Sequence, residues 1–453
     1  MKKIVFVIER ILINKWYAPL IDQALSRGFT VECWLDQKDI SQTTKWYETP
    51  SAEKMPRFSS GTPSYRDYSG DAELARLTEN AGDIILFTDR PPNCEKPDNQ
   101  LWAHVVTTYF DSYASLAPKT LDKFDFVYCA TEYWAKAAET FYLLSKRAEP
   151  NSPEILSLRK KLVPLGVPQF DHFAMIDRNA VRKKMGIPPD AKVVTVYVFE
   201  PGITYWAQRI FWVPELWKRL LHILILPISY ERFYSKVGKA KFWKMLWWSI
   251  VERPGYLAAA FRDPSEKEVL FKIKEFCARN GYFLLFKYRK KYHTPRPYQV
   301  GLADHTLYED PDYYPYTSAQ VIAASDLLIA NFSTAVGEAA YYGVPSIHLV
   351  PLEAKWQLEH QYRLVYKENS AELAHAFWNI IHNNAPGNFY NFPGVVNNMT
   401  VNELVRELPK RKLEDFPVNK EAAVQYRRKF LSPSDEPSAK LILNHIQRQK
   451  GWA

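Results

Sequence analysis

Residues 325–349 read SDLLIANFSTAVGEAAYYGVPSIHL and carry the pattern that decides the fold. An apolar run, LLIA, ends at Asn331, and a second apolar run, SIHL, begins after Pro345. Between them a segment rich in small residues starts at Ser333 and stops at Gly343, which is the spacing of a short helix. A strand, a helix and a second strand in this order form a βαβ unit, which predicts a parallel sheet.

The same alternation extends over most of the chain. Its apolar runs are continuous rather than alternating, so we expect strands that are covered on both faces. A helix is predicted over residues 16–27, ending at Gly28. The predicted strands lie at residues 3–8, 30–35, 83–89, 124–131, 161–167, 192–202, 282–288, 326–331 and 345–350.

A change of composition at residues 166–190 suggests a connection between domains, because glycine and proline bracket a short charged helix there. At 453 residues the chain is also too long for one compact core. We therefore predict an α/β protein with a first parallel-sheet domain over 1–170, a second over 171–410 and charged helices over 411–453. The carboxyl edges of the two sheets would face a cleft, where ligands bind in such folds.

Composition excludes several classes of protein. The net charge of +9 favours phosphorylated substrates, anionic lipid surfaces or polyanions as partners. The four cysteines are widely spaced, which argues against a zinc site or a disulfide framework and fits a reducing cytoplasm. No G-x-G-x-x-G follows a predicted strand, so we expect no dinucleotide cofactor. The first apolar run is too short for a signal peptide, and no stretch reaches the roughly 18 apolar residues of a membrane span.

Residues 203–263 interrupt the alternation with tryptophans, lysines and arginines. We predict an aromatic and basic helical insert here; on a helix after Gly238, Lys241 and Lys244 share one side and Trp243 and Trp247 lie opposite. Such helices are candidates for lying on a membrane surface, although packing on the protein itself or on a partner subunit explains them equally. Nucleic acid is not an expected partner, because the basic residues sit among long apolar runs.

A basic cluster follows the predicted strand 282–288, within the segment FKYRKKYHTPRPY. At the carboxyl edge of a parallel sheet it would face the cleft and attract phosphate oxygens, which arginine can bind bidentately. A solvated basic loop is the alternative. The candidate phosphate ligands in this cluster are Lys287, His293 and Arg296.

The turn in residues 325–349 offers a second anion site. Ser333 and Thr334 are N-cap candidates for a helix over 334–342, whose N-terminus would attract anions. Glu338 lies one turn into that helix, where it could accept hydrogen bonds from a sugar diol or simply complement the helix dipole. Asn331, at the end of the strand, and Glu200, after the strand at 192–202, are further candidates for contact with the same ligand.

Three motifs in this order resemble the C-terminal donor domain of GT-B glycosyltransferases. The closest resemblance is to those related to teichoic-acid glycerophosphotransferases and UDP-N-acetylglucosamine 2-epimerases. The matched segments are G-x-P-x-x-D in the connection (Gly166, Pro168, Asp171), the basic strand end, and S/T-x-x-x-x-E-A-x-x-x-G-x-P (Ser333, Glu338, Ala339, Gly343, Pro345).

The resemblance covers roughly residues 160–350 and implies two Rossmann-like domains facing a cleft. It also implies that the turn at Ser333 binds the phosphates of a nucleotide donor and that Glu338 binds its ribose. The basic strand end of the family often reads K-x-H-P. An insertion separates Lys287 from His293 here, which leaves open the residue that takes the role of the histidine.

The first domain would then bind the acceptor. Residues 101–113, LWAHVVTTYFDSY, follow a strand and a loop, where similar enzymes often carry a histidine. An inverting transfer needs a general base, and His104 or Asp111 would suit, His104 by its near-neutral intrinsic pKa. A hydrogen-bonded histidine at a strand end and a turn aspartate are the structural alternatives. Arg10 and the pair Asp89-Arg90 also follow strands and point toward the expected cleft.

The expected activity is transfer of a sugar from a nucleotide-sugar donor to a hydroxyl of a cell-surface glycan or lipid-linked acceptor, at the cytoplasmic face of the membrane. Basic groups with a helix terminus can stabilise a leaving diphosphate, so we expect no metal and no cofactor beyond the donor. Three alternatives stay open: a polyol-phosphate transferase of the teichoic-acid type, a nucleotide-sugar 2-epimerase or hydrolase, and a non-catalytic scaffold that docks on membranes.

Overall fold

Two parallel sheets organise the chain. The computed structural model describes residues 2–38, 49–106, 121–198, 264–288, 295, 297–308, 310–331, 333–350, 380 and 385–452. Within them one sheet has seven strands and the other six, and all neighbouring strands pair in parallel. This confirms the predicted α/β class with two parallel-sheet units, which we call the first and the second domain. The insert predicted at 203–263 lies outside the described residues.

The first sheet has the strand order β3-β2-β1-β4-β5-β6-β7 and the second has β10-β9-β8-β11-β12-β13. The strands of the first sheet are β1 (Lys3–Ile8), β2 (Thr30–Asp36), β3 (Ser64–Tyr68), β4 (Ile84–Phe87), β5 (Leu101–Val105), β6 (Phe126–Cys129) and β7 (Leu162–Pro164). Those of the second are β8 (Val193–Tyr197), β9 (Phe283–Lys287), β10 (His305–Leu307), β11 (Leu327–Ala330), β12 (Ser346–Val350) and β13 (Val396–Thr400).

Helices cover both sheets. None in the described part of the chain is long and apolar enough to cross a bilayer. They are α1 (Asn14–Ser26), α2 (Gly70–Glu79), α3 (Glu132–Lys146), α4 (Pro153–Lys161), α5 (Arg178–Lys184), α6 (Glu266–Asn280), α7 (Thr317–Ala324), α8 (Ala335–Tyr342), α9 (Val401–Glu407), α10 (Lys420–Phe430) and α11 (Ser438–Gln449).

Each apolar run identified in the sequence contains a strand of the structure, but the pattern does not indicate β3, β5, β10 or β13. Strands β3, β10 and β13 lie at sheet edges and carry many polar residues, because one side of an edge strand meets solvent or loops. Strand β5 is fully buried and, apart from His104, apolar. It follows β4 through a loop rather than a helix, so it falls outside the alternation that identifies the other strands.

The C-terminal helix α11 packs on the first domain, far in sequence from its own neighbours. Arg27, just after α1, donates from Nη1 to the side-chain oxygens of Asn444 at 2.8 Å and Gln447 at 2.7 Å. The hydroxyl of Tyr128 in β6 lies 3.0 Å from Nδ1 of His445. The C-terminal end of the chain, which follows the second domain in sequence, therefore packs against the first domain.

The G-x-P-x-x-D segment holds the start of α11. The Asp171 carboxylate accepts hydrogen bonds from the backbone N–H groups of Ser438 at 2.9 Å and Ala439 at 2.8 Å. Gly166 has a φ of +92°, and a Cβ there would lie 2.2 Å from the Ser438 hydroxyl oxygen. The glycine and the aspartate of this motif thus attach the connection between the domains to the C-terminal helix.

The neighbouring residue, His172, joins the two domains. Its Nε2–H donates to the carbonyl oxygen of Lys15 in α1 at 2.9 Å, and its Nδ1 accepts from the N–H of Tyr316 at 3.3 Å. Burial disfavours the imidazolium form and lowers the pKa of His172 to about 3. The neutral ring has one donor and one acceptor, which is what these two backbone groups require.

Replacing Asp171 with alanine should lower the free energy of unfolding by roughly 1–2 kcal/mol, because it removes the acceptor of two N–H groups at a helix N-terminus. Urea denaturation followed by circular dichroism measures the change. Asn419→Ala is the matched control, since Asn419 caps the exposed start of α10 through the N–H of Ala422. A free energy of unfolding that is unchanged in Asp171→Ala would contradict the role of Asp171 in holding α11.

His172 should lower the stability of the protein below about pH 6.5, whereas Glu9 and Asp171, whose pKa values are raised to about 7 in the folded chain, act in the opposite direction. The unfolded chain binds a proton near pH 6.5, whereas the folded chain binds it only near pH 3, so acid favours unfolding by up to ~1.4 kcal/mol per pH unit. Thermal melts between pH 7.5 and 5 measure the slope of stability against pH. His172→Gln keeps a donor and an acceptor and should flatten it. Equal slopes in wild type and His172→Gln would refute the assignment.

Candidate active site between the two domains

The turn between β11 and α8 has the form that the sequence indicates. Thr334 occupies the N-cap position of α8, but its side chain makes no capping hydrogen bond within the described residues. The hydroxyl oxygen of Ser333 accepts instead from the N–H of Ala335 at 3.3 Å. Asn331 begins the turn, and its buried Oδ1 has no hydrogen-bond partner among the described residues.

Glu338 lies at the junction of the two domains rather than in open solvent. Its side chain is 1% exposed, and Oε1 accepts from Nζ of Lys15 at 2.6 Å. The Lys15 ammonium also lies 4.5 Å from the centroid of the Tyr316 ring. The second oxygen, Oε2, is buried without a hydrogen-bond partner among the described residues. Because buried polar atoms are nearly always bonded, this oxygen can accept a hydrogen bond from a ligand.

A cavity of about 510 Å³ opens between the same two domains, within the size range of small-molecule sites. Residues 53–57 of the first domain form one wall and residues 310–314 of the second form the other. The second wall carries the rings of Tyr313 and Tyr314, and the chain continues from it to Tyr316 beside Lys15. The cavity and the Lys15–Glu338 pair are thus two parts of one region between the domains.

Lys287 is at the end of β9, as the sequence indicates, but its charge is already balanced. The side chain is buried, and Nζ donates to the carbonyl oxygen of Tyr288 at 2.6 Å. It also lies 2.9 Å from Oδ1 of Asp310 in the cavity wall. The phosphate contact predicted for Lys287 would require the ammonium to exchange this carboxylate for a phosphate oxygen.

Four candidate residues lie outside the described part of the chain, and their roles stay predictions. They are Asp111, Glu200, His293 and Arg296.

His104 lies inside strand β5, buried at 2% exposure. Its Nδ1 is 3.1 Å from the carbonyl oxygen of Thr88, which can only accept, so Nδ1 carries the proton. The lone pair is therefore on Nε2, which is buried without a partner among the described residues. Burial lowers the pKa of His104, against the opposite effect of Asp89. The tautomer suits a proton acceptor, but burial weakens the base.

Charged residues at the ends of β1 and β4 surround this histidine on the carboxyl edge of the first sheet. Arg10 donates from Nη2 to Oδ2 of Asp89 at 3.0 Å, and the other oxygen of Asp89 is 3.9 Å from His104 Nδ1. Glu9 lies 3.6 Å from the guanidinium of Arg90. The structure thus brings together the residues that follow these two strands, as their shared edge requires.

Sequence reasoning passes over Lys15 and Glu9. Glu9 lies in the connection from β1 to α1 and Lys15 in the first turn of α1, next to the edge where ligands bind, so their position alone could have singled them out. Their partners, Glu338 and Arg90, are too distant along the chain to be identified from spacing.

No protein-family model matches the chain, and no curated protein matches its sequence. Solved structures match in fold. The wall teichoic acid polymerase TagF superposes with a TM-score of 0.54 at 10% identity, over 99% of this chain and 89% of that chain. A variant of that polymerase gives a TM-score of 0.53 with the same identity and coverage. A putative UDP-N-acetylglucosamine 2-epimerase from Listeria monocytogenes gives 0.49 at 11% identity, over 99% of this chain and 97% of that chain.

At such identities the likeness concerns the fold alone. The superposition extends over both domains and agrees with the two parallel sheets described above. The resemblance noted in residues 160–350 is therefore confirmed at the level of architecture, and the chain has the GT-B fold.

Proposed function

We propose that this chain is a glycosyltransferase that transfers a sugar from a nucleotide-sugar donor to a hydroxyl of a glycan or lipid-linked acceptor. The observation that carries the proposal is the buried Glu338 carboxylate, which has one oxygen on Lys15 and the other without a partner among the described residues. The donor would lie between the domains, with its ribose at Glu338.

In this proposal the two carboxylate oxygens of Glu338 have different hydrogen-bond partners. A ribose hydroxyl donates to Oε2, while Oε1 keeps its hydrogen bond to Lys15. An ionised acceptor makes such a bond about twice as strong as a neutral one. The ligand would thus satisfy a buried acceptor that is unpaired within the described residues, and this favours a hydroxyl-bearing group at this position.

Lys15 and the N-terminus of α8 supply positive charge that can interact with the donor diphosphate. An ammonium has three donors, and Glu338 uses one, so others can reach phosphate oxygens. The N-terminus of α8, at Ser333 and Thr334, adds the partial charge of the helix dipole. We propose that these groups balance the charge that develops on the leaving diphosphate and that the transfer uses no metal.

The tyrosine-lined cavity suits the remaining part of a nucleotide. Tyr313 and Tyr314 line one wall, and the opposite wall carries Lys54 and Arg57 beside Glu53. A base could stack on such rings, since every nucleobase has a π face. Binding of residues 203–263 to a membrane surface remains a prediction, and so does a location of the protein at the inner face of the membrane.

A CDP-linked polyol is the second candidate donor, which would make the chain a polyol-phosphate transferase. One structure of a TagF variant, with a TM-score of 0.53 to this chain, is of the polymerase soaked with CDPG. A thermal-shift screen of UDP-, GDP-, CDP- and CMP-linked sugars beside CDP-glycerol separates the two, because a bound ligand raises the melting temperature. Turnover of the selected donor distinguishes an enzyme from a scaffold, and its product distinguishes transfer from epimerisation.

Replacing Glu338 tests the donor site. Glu338→Ala should weaken binding of the selected donor by roughly 10- to 100-fold, which corresponds to the loss of a hydrogen bond to a charged group. Titration calorimetry measures the affinity. Glu275→Ala is the matched control, since this glutamate is exposed on α6 and pairs with Lys272.

Glu338→Gln accompanies the alanine variant, because alanine leaves the Lys15 ammonium without its carboxylate. Glutamine keeps the shape of the side chain but removes its charge, and circular dichroism confirms that both variants fold. Unchanged donor affinity in the two folded variants would overturn the assignment of Glu338.

A further inference from the structure

Glu9 occupies the carboxyl edge of the first sheet directly after β1. From Glu9 the chain makes one short turn over Ile11–Ile13 and enters α1, where Lys15 contacts Glu338 of the second domain. Six residues can span at most about 20 Å, so the backbone of Glu9 lies within about that distance of Lys15.

Among the carboxylates described at this edge, Glu9 has the weakest polar contacts. Asp89 accepts from Arg10 at 3.0 Å, and Asp36 accepts from the N–H of Lys38 at 2.9 Å. Glu9 has no hydrogen-bond donor among the described residues. Its contact with Arg90 is 3.6 Å long, and that arginine side chain is 77% exposed.

The surroundings of Glu9 favour its protonated form near neutral pH. The pKa of Glu9 is raised to about 7, mainly by burial; Asp89 and Asp36 also raise it, whereas Arg90 and Arg10 lower it. The two tyrosine hydroxyls whose ionisation is coupled to Glu9, Tyr17 and Tyr68, stay neutral because burial raises their own pKa values. A general base works best when its pKa lies near the working pH.

His104 is a poorer base than Glu9 by the same criteria. Its burial lowers the pKa of the imidazole. The Glu9 side chain is 12% exposed and therefore retains some contact with the solvent side of the edge.

We propose that the carboxylate of Glu9 is the proton acceptor of the transfer reaction, a role that rests on the proposed glycosyltransferase function. The acceptor oxygen forms a bond to the anomeric carbon of the donor sugar, and its proton passes to Glu9. The bond between the anomeric carbon and the diphosphate oxygen breaks, and its electron pair leaves with the nucleoside diphosphate. Arg10 donates a hydrogen bond to Asp89 beside this group and not to Glu9.

Glu9→Gln tests the proposal in the full-length protein. The probe is the donor selected by the thermal-shift screen, with water as acceptor and nucleotide release as the signal. We expect kcat to fall by roughly 100-fold or more, with donor affinity by calorimetry unchanged. The wild-type rate should fall below about pH 7, and this acid limb should be absent from the residual rate of Glu9→Gln.

Two comparisons separate a chemical role from a structural one. Glu9→Asp keeps a carboxylate and should recover part of the rate, whereas Glu139→Gln, at a similarly covered glutamate paired with Arg159 on the surface of the first domain, should leave the rate unchanged. A kcat for Glu9→Gln within threefold of wild type, or a retained acid limb, overturns the role of Glu9 alone. A wild-type protein that releases nucleotide from no donor in the screen overturns the proposed function and, with it, this role.

Discussion

The region between the domains depends on two hydrogen bonds made by the neutral imidazole of His172. It accepts from the backbone of Tyr316 and donates to the backbone of Lys15, so it sets the distance between α1 and the loop that enters α7. Lys15 reaches Glu338 and the Tyr316 ring only while this distance is kept. A buried ring that must be neutral to make both bonds therefore links the protonation of one histidine to the geometry of the candidate site.

The Lys15–Glu338 pair affects both the stability of the folded protein and the proposed binding of a ligand at Glu338. Removing one partner of a buried ion pair leaves an uncompensated charge, which costs about 3–5 kcal/mol. One oxygen of this carboxylate has no partner among the described residues, and the proposed donor would supply one. Its place between two domains means that a ligand bound there would contact both.

Much of the second domain can be predicted from sequence, because its pattern is local. The run at 325–349 contains a strand, a cap, a helix and a strand, and each is specified by neighbouring residues. Strand β5 and the edge strands are harder, since a strand without an adjoining helix or with a polar face has no distinct periodicity. The site residues Ser333 and Glu338 follow from a motif, whereas Lys15 and Glu9 acquire their significance from partners far away along the chain.

The sequence by itself determined the α/β class, the parallel sheets and the position of the turn at Ser333, because periodicity and capping act over a few residues. Only the tertiary structure decided that Glu338 is buried against Lys15, that Lys287 is neutralised by Asp310 and that Asp171 caps the C-terminal helix. These contacts join residues 23 to 323 positions apart, and their energies depend on burial, which no local pattern specifies.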